Sequence, residues 1–131
     1  MEAKGEVHSE PLPVIEANKT QMVQLLQNLI SNSLKYRKEN VLPVINISSA
    51  LEDEGFINIV LQDNGVGIKD EYADLVFQPF ERLNPQIPGT GMGLAICRKV
   101  VVGHGGAIKV KNLPDGGGSV FIIKLQERHS Q

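Results

Sequence analysis

The sequence has a single cysteine, Cys97, and no tryptophan. One thiol excludes an internal disulfide and suits a reducing compartment. Two tyrosines and four phenylalanines are too few for a row of base-stacking platforms. The 13 Lys and Arg residues are outweighed by 15 Asp and Glu, a net charge of −2, which leaves no basic footprint for nucleic acid or anionic lipid. No apolar run approaches a membrane span and no signal peptide is visible, so a cytoplasmic domain without direct membrane contact is expected. Repeats and low-complexity tracts are also missing. What remains is ordinary: 131 residues, 41% hydrophobic and 21% charged, are the length and balance of one soluble domain with a real core.

The most informative stretch is Phe56-Ile57-Asn58-Ile59-Val60-Leu61-Gln62 followed by Asp63-Asn64-Gly65-Val66-Gly67-Ile68. The first part alternates like a half-buried strand, with Ile57, Ile59 and Leu61 on one face. The same face carries Asp63, so a carboxylate ends an apolar series at the margin of the core. Gly65 and Gly67 follow, and glycine lets a backbone approach a ligand closely. Asp-Asn-Gly is equally a turn signal in any protein, so this stretch does not define a site by itself.

The other elements follow in order. Residues 1–10 read as a polar, flexible segment, 11–126 as the folded domain and 127–131 as a tail. Pro11 to Glu16 suggests an edge strand, since its prolines forbid a central one. Asn18 is a good N-cap with Gln21 three residues on, which opens a helix to about Arg37. Its apolar arc is Met22, Val23, Leu25, Leu26, Leu29, Ile30 and Leu34, bordered by Asn28, Asn32, Lys35 and Tyr36. Pro43 to Leu51 and Gly55 to Gln62 predict a hairpin, and Lys69 to Val76 a short helix. Pro79 stops that helix, a polar loop spans Asn84 to Pro88, and glycines at 89, 91 and 93 run into a helix reaching about Val102. Ala107 to Asn112 and Ser119 to Leu125 predict a last hairpin, with Ser119, Phe121, Ile123 and Leu125 on one face. The fold class is therefore α+β, a two-layer α/β sandwich whose mixed, mostly antiparallel sheet carries its helices on one side.

The segment Gly89-Thr90-Gly91-Met92-Gly93-Leu94 has a physical logic for phosphate, because its backbone N–H groups lead into a helix N-terminus. It matches neither the P-loop nor the dinucleotide fingerprint.

Four stretches taken together are more specific. Asn28 to Tyr36 resembles the N box of histidine kinases and Asp63 to Ile68 their first glycine box. Phe77 to Leu83 resembles the F box, and Gly89 to Ile96 the second glycine box. In this order they resemble the catalytic and ATP-binding domain of a two-component sensor kinase, in the superfamily shared with gyrase and MutL. The resemblance implies the Bergerat-type ATP-binding fold and a protein-histidine kinase activity. Mg-ATP would be bound, and its γ-phosphoryl group passed to a histidine on a separate dimerisation and phosphoacceptor domain, with a response regulator downstream. The isolated domain is expected to be a monomer.

The resemblance also implies roles. Asp63 would accept the adenine amine, which would relieve the cost of burying an unpartnered carboxylate. Ser119, often Thr in the family, would support it through water. Gly65, Gly67 and Ile68 would line the adenine wall, and Tyr36 would pack near base or ribose. Asn32 would offer its amide oxygen to Mg²⁺. Asn28, Lys35 and Arg82 would serve the phosphates and catalysis, with backbone donors from Gly89, Thr90, Gly91, Met92, Gly93 and Leu94.

Departures from the family pattern are Ser33 in place of the usual Ala, a modest change beside the metal position, and a short lid with Arg82 as its one cation. His8, His104 and His129 do not lie in a phosphoacceptor motif; His104 reads as structural and the others as surface residues. An ATP-hydrolysing machine is the second reading. Those relatives carry a glutamate where this chain has Asn28, which cannot act as a general base. A degenerate nucleotide-binding docking module is the third.

Overall fold

The computed structural model describes residues 5–10, 17–51, 55–80 and 91–126. The alternating stretch forms β3 (Phe56–Asp63), flanked by β2 (Val44–Leu51) and β5 (Ser119–Gln126), both antiparallel to it. β4 (Ala107–Asn112) pairs antiparallel with β5 at one edge, and β1 (Glu6–Ser9) pairs parallel with β2 at the other, giving the order β1-β2-β3-β5-β4. Glu6–Ser9 corrects the reading of the first ten residues as loose. Its side chains are all exposed, so no alternation marked it, and its backbone partners supply the order instead. The strand expected at Pro11 to Glu16 lies outside the described residues.

The register places like with like. Ile47, Leu61 and Phe121 stand side by side across β2, β3 and β5, and the next inward rung is Ile45, Asp63 and Ser119. A one-residue slip would turn this whole row to solvent, so the apolar rungs fix where the two polar residues stand. Helices α1 (Lys19–Lys35) and α2 (Gly93–Gly103) close the inner face. Leu25, Leu29, Cys97, Val100 and Val101 join the buried cluster of the sheet, while Asn46, Gln62, Lys109 and Lys111 lie exposed on the other face.

Asn18 caps α1 by accepting the Gln21 N–H at 3.0 Å. The return arm of a capping box is replaced: the Asn18 N–H donates to His104 Nε2 at 3.1 Å. Nε2 must then be unprotonated, so Nδ1 carries the hydrogen and donates to the Val100 carbonyl at 2.8 Å. The buried imidazole thus joins the start of α1 to the end of α2.

Two residues of α1 depart from the apolar arc read from its spacing. Val23 is 46% exposed and leaves the apolar arc, while Ser33 is 2% exposed and belongs to it. Ser33 follows Leu25 and Leu29 at four-residue intervals, which puts it on the same inward stripe. Between β3 and α2 the expected helix is two 3-10 turns, Asp70–Tyr72 and Leu75–Phe77. Phe77 is buried edge-to-face on Phe121 with ring centroids 6.3 Å apart, which anchors this connection to the sheet.

Candidate functional site

Asp63 ends the inward row of β3 and is 6% exposed. Both oxygens of its carboxylate have protein partners. Oδ1 accepts the Gly65 N–H at 2.9 Å and the Ser119 N–H at 3.3 Å. Oδ2 accepts the hydroxyls of Ser33 at 2.8 Å and Ser119 at 3.0 Å. Ser119 acts directly on the carboxylate, from the neighbouring strand and in the same rung. Ser33 is no bystander near a metal position; it is a buried donor to Asp63 from α1, and its helical phase was the signal that could have identified it.

Behind the carboxylate the chain makes two close passages. Gly65 lies against the end of α1, where a Cβ would stand 2.6 Å from the Tyr36 carbonyl oxygen. That carbonyl accepts the Val66 N–H at 3.0 Å. Gly118 has φ +119, and a Cβ there would stand 1.9 Å from the Asp63 carbonyl oxygen, so only glycine fits.

Asn64 and Asn112 hold the glycine turn and Lys38 ties a neighbouring loop, and none of the three was given a role from the sequence. Asn64 turns away from the carboxylate: its Oδ1 accepts the Val44 N–H at 2.8 Å and its Nδ2 donates to the Leu42 carbonyl at 3.0 Å. Asn112 accepts the Ile68 N–H at 2.6 Å. Lys38 donates from its ammonium group to the Gly116 carbonyl, joining the loop after α1 to the β4–β5 hairpin. Asx side chains satisfying a turn's backbone are common enough that sequence alone gives no way to assign their partners.

The remaining expected residues divide by position. Asn28 and Asn32 are half-buried one turn apart on α1, Lys35 is exposed in its last turn, and Tyr36 is its half-buried C-cap. The Asn28 Nδ2 is buried without a hydrogen-bond partner among the described residues. It lies beside the Cys97 thiol, where it favours the thiolate slightly. Burial dominates at Cys97 and pushes its pKa up to about 12. Ile68 is buried, Gly67 half-buried, and Gly91, Met92 and Leu94 half-buried around the start of α2, with Gly93 exposed. Met92, at the N-cap of α2, makes no side-chain capping bond, and unpaired backbone donors at a helix start favour an anion. Arg82, Gly89 and Thr90 lie outside the described residues, as does His129.

Among the described residues no group of three or more His, Cys, Asp or Glu could hold a metal ion. A divalent cation here would need ligands brought by a phosphate and by water, with one amide oxygen from the protein. That set suits Mg²⁺, which keeps its waters and binds phosphate oxygens. No helix among the described residues is long and apolar enough to cross a membrane.

Residues 17–129 match the family described as histidine kinase-, DNA gyrase B-, and HSP90-like ATPase. The chain is 40% identical over 134 residues to cyanobacterial phytochrome A of Nostoc sp. (strain PCC 7120 / SAG 25.82 / UTEX 2576), covering 99% of this chain and 17% of that protein. It is 36% identical over 121 residues to the sensor protein KdpD of Escherichia coli (strain K12), covering 91% of this chain and 13% of that one. The chain therefore spans about one sixth or less of these curated relatives. The mycobacterial sensor histidine kinase MprB superposes with a TM-score of 0.78 at 28% identity, over 97% of this chain and 83% of that one. The catalytic domain of histidine kinase ThkA does so with a TM-score of 0.75 at 30% identity, over 95% and 79%. The chain belongs to the histidine kinase-, DNA gyrase B-, and HSP90-like ATPase family and, within it, is a catalytic domain of the sensor histidine kinase type.

Proposed function

We propose that this domain binds Mg-ATP and donates the γ-phosphoryl group to a histidine on a separate dimerisation and phosphoacceptor domain of its parent protein. The observation that carries the reading is Asp63, a buried carboxylate on the central strand held by donors from three different segments. Such an acceptor suits an exocyclic amine, as adenine presents. The glycine-led start of α2, where Met92 makes no side-chain capping bond, suits phosphate oxygens. Asn32 would contribute one oxygen to Mg²⁺. Phosphoryl transfer depends mainly on positioning and on neutralising charge, so Lys35 and Arg82 are the cations assigned to the phosphates.

The histidine-kinase reading is favoured over ATP hydrolysis by Asn28. An amide cannot deprotonate water, whereas a neutral imidazole attacks without a base. A response regulator would then receive the phosphoryl group from the acceptor histidine.

The test is a calorimetric titration of the chain with ATP, ADP and GTP, with and without Mg²⁺, followed by incubation with labelled ATP and the matching dimerisation domain. We expect ATP and ADP to bind better than GTP, and acid-labile phosphate to form on the added domain and not on His8, His104 or His129. Equal affinity for ATP and GTP would refute the adenine assignment, and strong labelling of the isolated chain would refute the donor role.

A further inference from the structure

The four donors on Asp63 fill the four lone-pair positions that a carboxylate offers. On the adenine reading given above, on which this inference rests, the exocyclic amine is a fifth donor, and one of the four must give way. The two backbone N–H groups cannot turn, because the close passage against Tyr36 fixes Gly65 and the β3–β5 pairing with the close passage at Gly118 fixes Ser119. The choice falls on a hydroxyl. Ser119 is held opposite Asp63 by the ladder and offers both its hydroxyl and its N–H to the same carboxylate. Ser33 lies inside α1, where a serine hydroxyl has a second acceptor within reach, the carbonyl four residues back, here that of Leu29.

We propose that Ser33 is a positioning and specificity residue that competes with the base. Its hydroxyl occupies Asp63 Oδ2 while no base is present, then turns to the helix backbone when a 6-amino purine arrives. A hydroxyl is a rotor that both donates and accepts. Ser33 therefore also offers a donor to a 6-oxo purine, which Asp63 alone repels. Both effects act in one direction, narrowing the preference for 6-amino over 6-oxo purines. Alanine at this position would remove the competitor for the amine and the partner for the carbonyl at once.

The test is calorimetric titration of the 131-residue chain and its Ser33→Ala variant with ADP and with IDP, alongside thermal melts without ligand. A net hydrogen bond corresponds to about a five-fold change in affinity. Ser33→Ala should bind ADP about five-fold tighter and IDP no tighter, while the empty variant melts at lower temperature because Oδ2 has lost a buried donor. Stability and ADP affinity thus move in opposite directions, which a merely structural role for Ser33 would not produce. An unchanged ADP-to-IDP ratio, or weaker ADP binding by the variant, overturns the proposal while leaving the adenine site intact. Failure of the parent chain to bind ADP overturns the adenine reading and this inference with it. Should Ser33→Ala not fold, Ser33→Cys keeps the shape, slightly enlarged, with a weaker donor and must shift the ratio the same way.

Discussion

The side chain of Asn112 accepts the Ile68 backbone N–H at 2.6 Å, tying the last residue of β4 to the glycine turn after β3. Asn112 is exposed, so its removal costs little packing. Its effect should fall on the turn. Asn112→Ala is expected to weaken ADP binding about five-fold, as one net hydrogen bond implies, and to speed hydrogen exchange at the Ile68 amide. Asn112→Asp keeps the acceptor and should leave both near the parent values.

Asp63→Asn tests the carboxylate without destroying the domain. The amide oxygen can still accept from Gly65 and Ser119, and its NH₂ can donate to the Ser33 and Ser119 hydroxyls, which reverse roles. We expect a loss of about 1–3 kcal/mol in unfolding free energy, read from urea denaturation. ADP binding should fall by at least about 100-fold, since the base amine would now meet a donor. Asp63→Leu leaves the four donors unsatisfied and should not give a folded domain.

Gly118→Ala should unfold the domain or displace the β4–β5 hairpin, because its Cβ would overlap the Asp63 carbonyl at 1.9 Å. Circular dichroism distinguishes this from Gly103→Ala, which meets no atom within 4 Å and should be neutral or better in a helix.

Cys97 sets an alkaline limit. Its folded pKa of about 12 lies above the unfolded value of 9.0, so the folded state holds the proton that the unfolded state releases. This contribution is fully present below about pH 9 and declines above it, by about 1.4 kcal/mol per pH unit until the folded thiol also ionises. Other groups titrate in the same range, so the measurement is a difference. Between pH 8 and pH 10.5, the parent should lose more stability in urea than Cys97→Ala does. An equal loss would mean that the thiol is solvated.

The sequence made the sheet legible because its signal is periodic. Inward residues of β3 and β5 alternate with outward ones, and each series ends in a polar residue, so Asp63 and Ser119 were placed before their pairing was seen. β1 gave no such signal, since an exposed edge strand owes its order to its neighbour's backbone. Ser33 was missed for a different reason. It sits at the four-residue interval after Leu25 and Leu29, on the buried stripe of α1, whereas the resemblance marks it only as a modest departure beside the metal position. Asn112, Asn64 and Lys38 act on backbone atoms distant in sequence, and nothing local predicts such a partner.

The Phe80 N–H donates to the Gly91 carbonyl at 2.9 Å, with Phe80 at φ +66, so the chain is pinched just before and just after residues 81–90. Phe77 fastens one side of this neck to the sheet and α2 continues from the other. A loop closed on such a neck gains length cheaply, since doubling it costs only about 0.6 kcal/mol of closure entropy. The neck therefore marks a place where chain length can change at small entropic cost, while Asp63 and its four donors are held by β3, the glycine turn, β5 and α1.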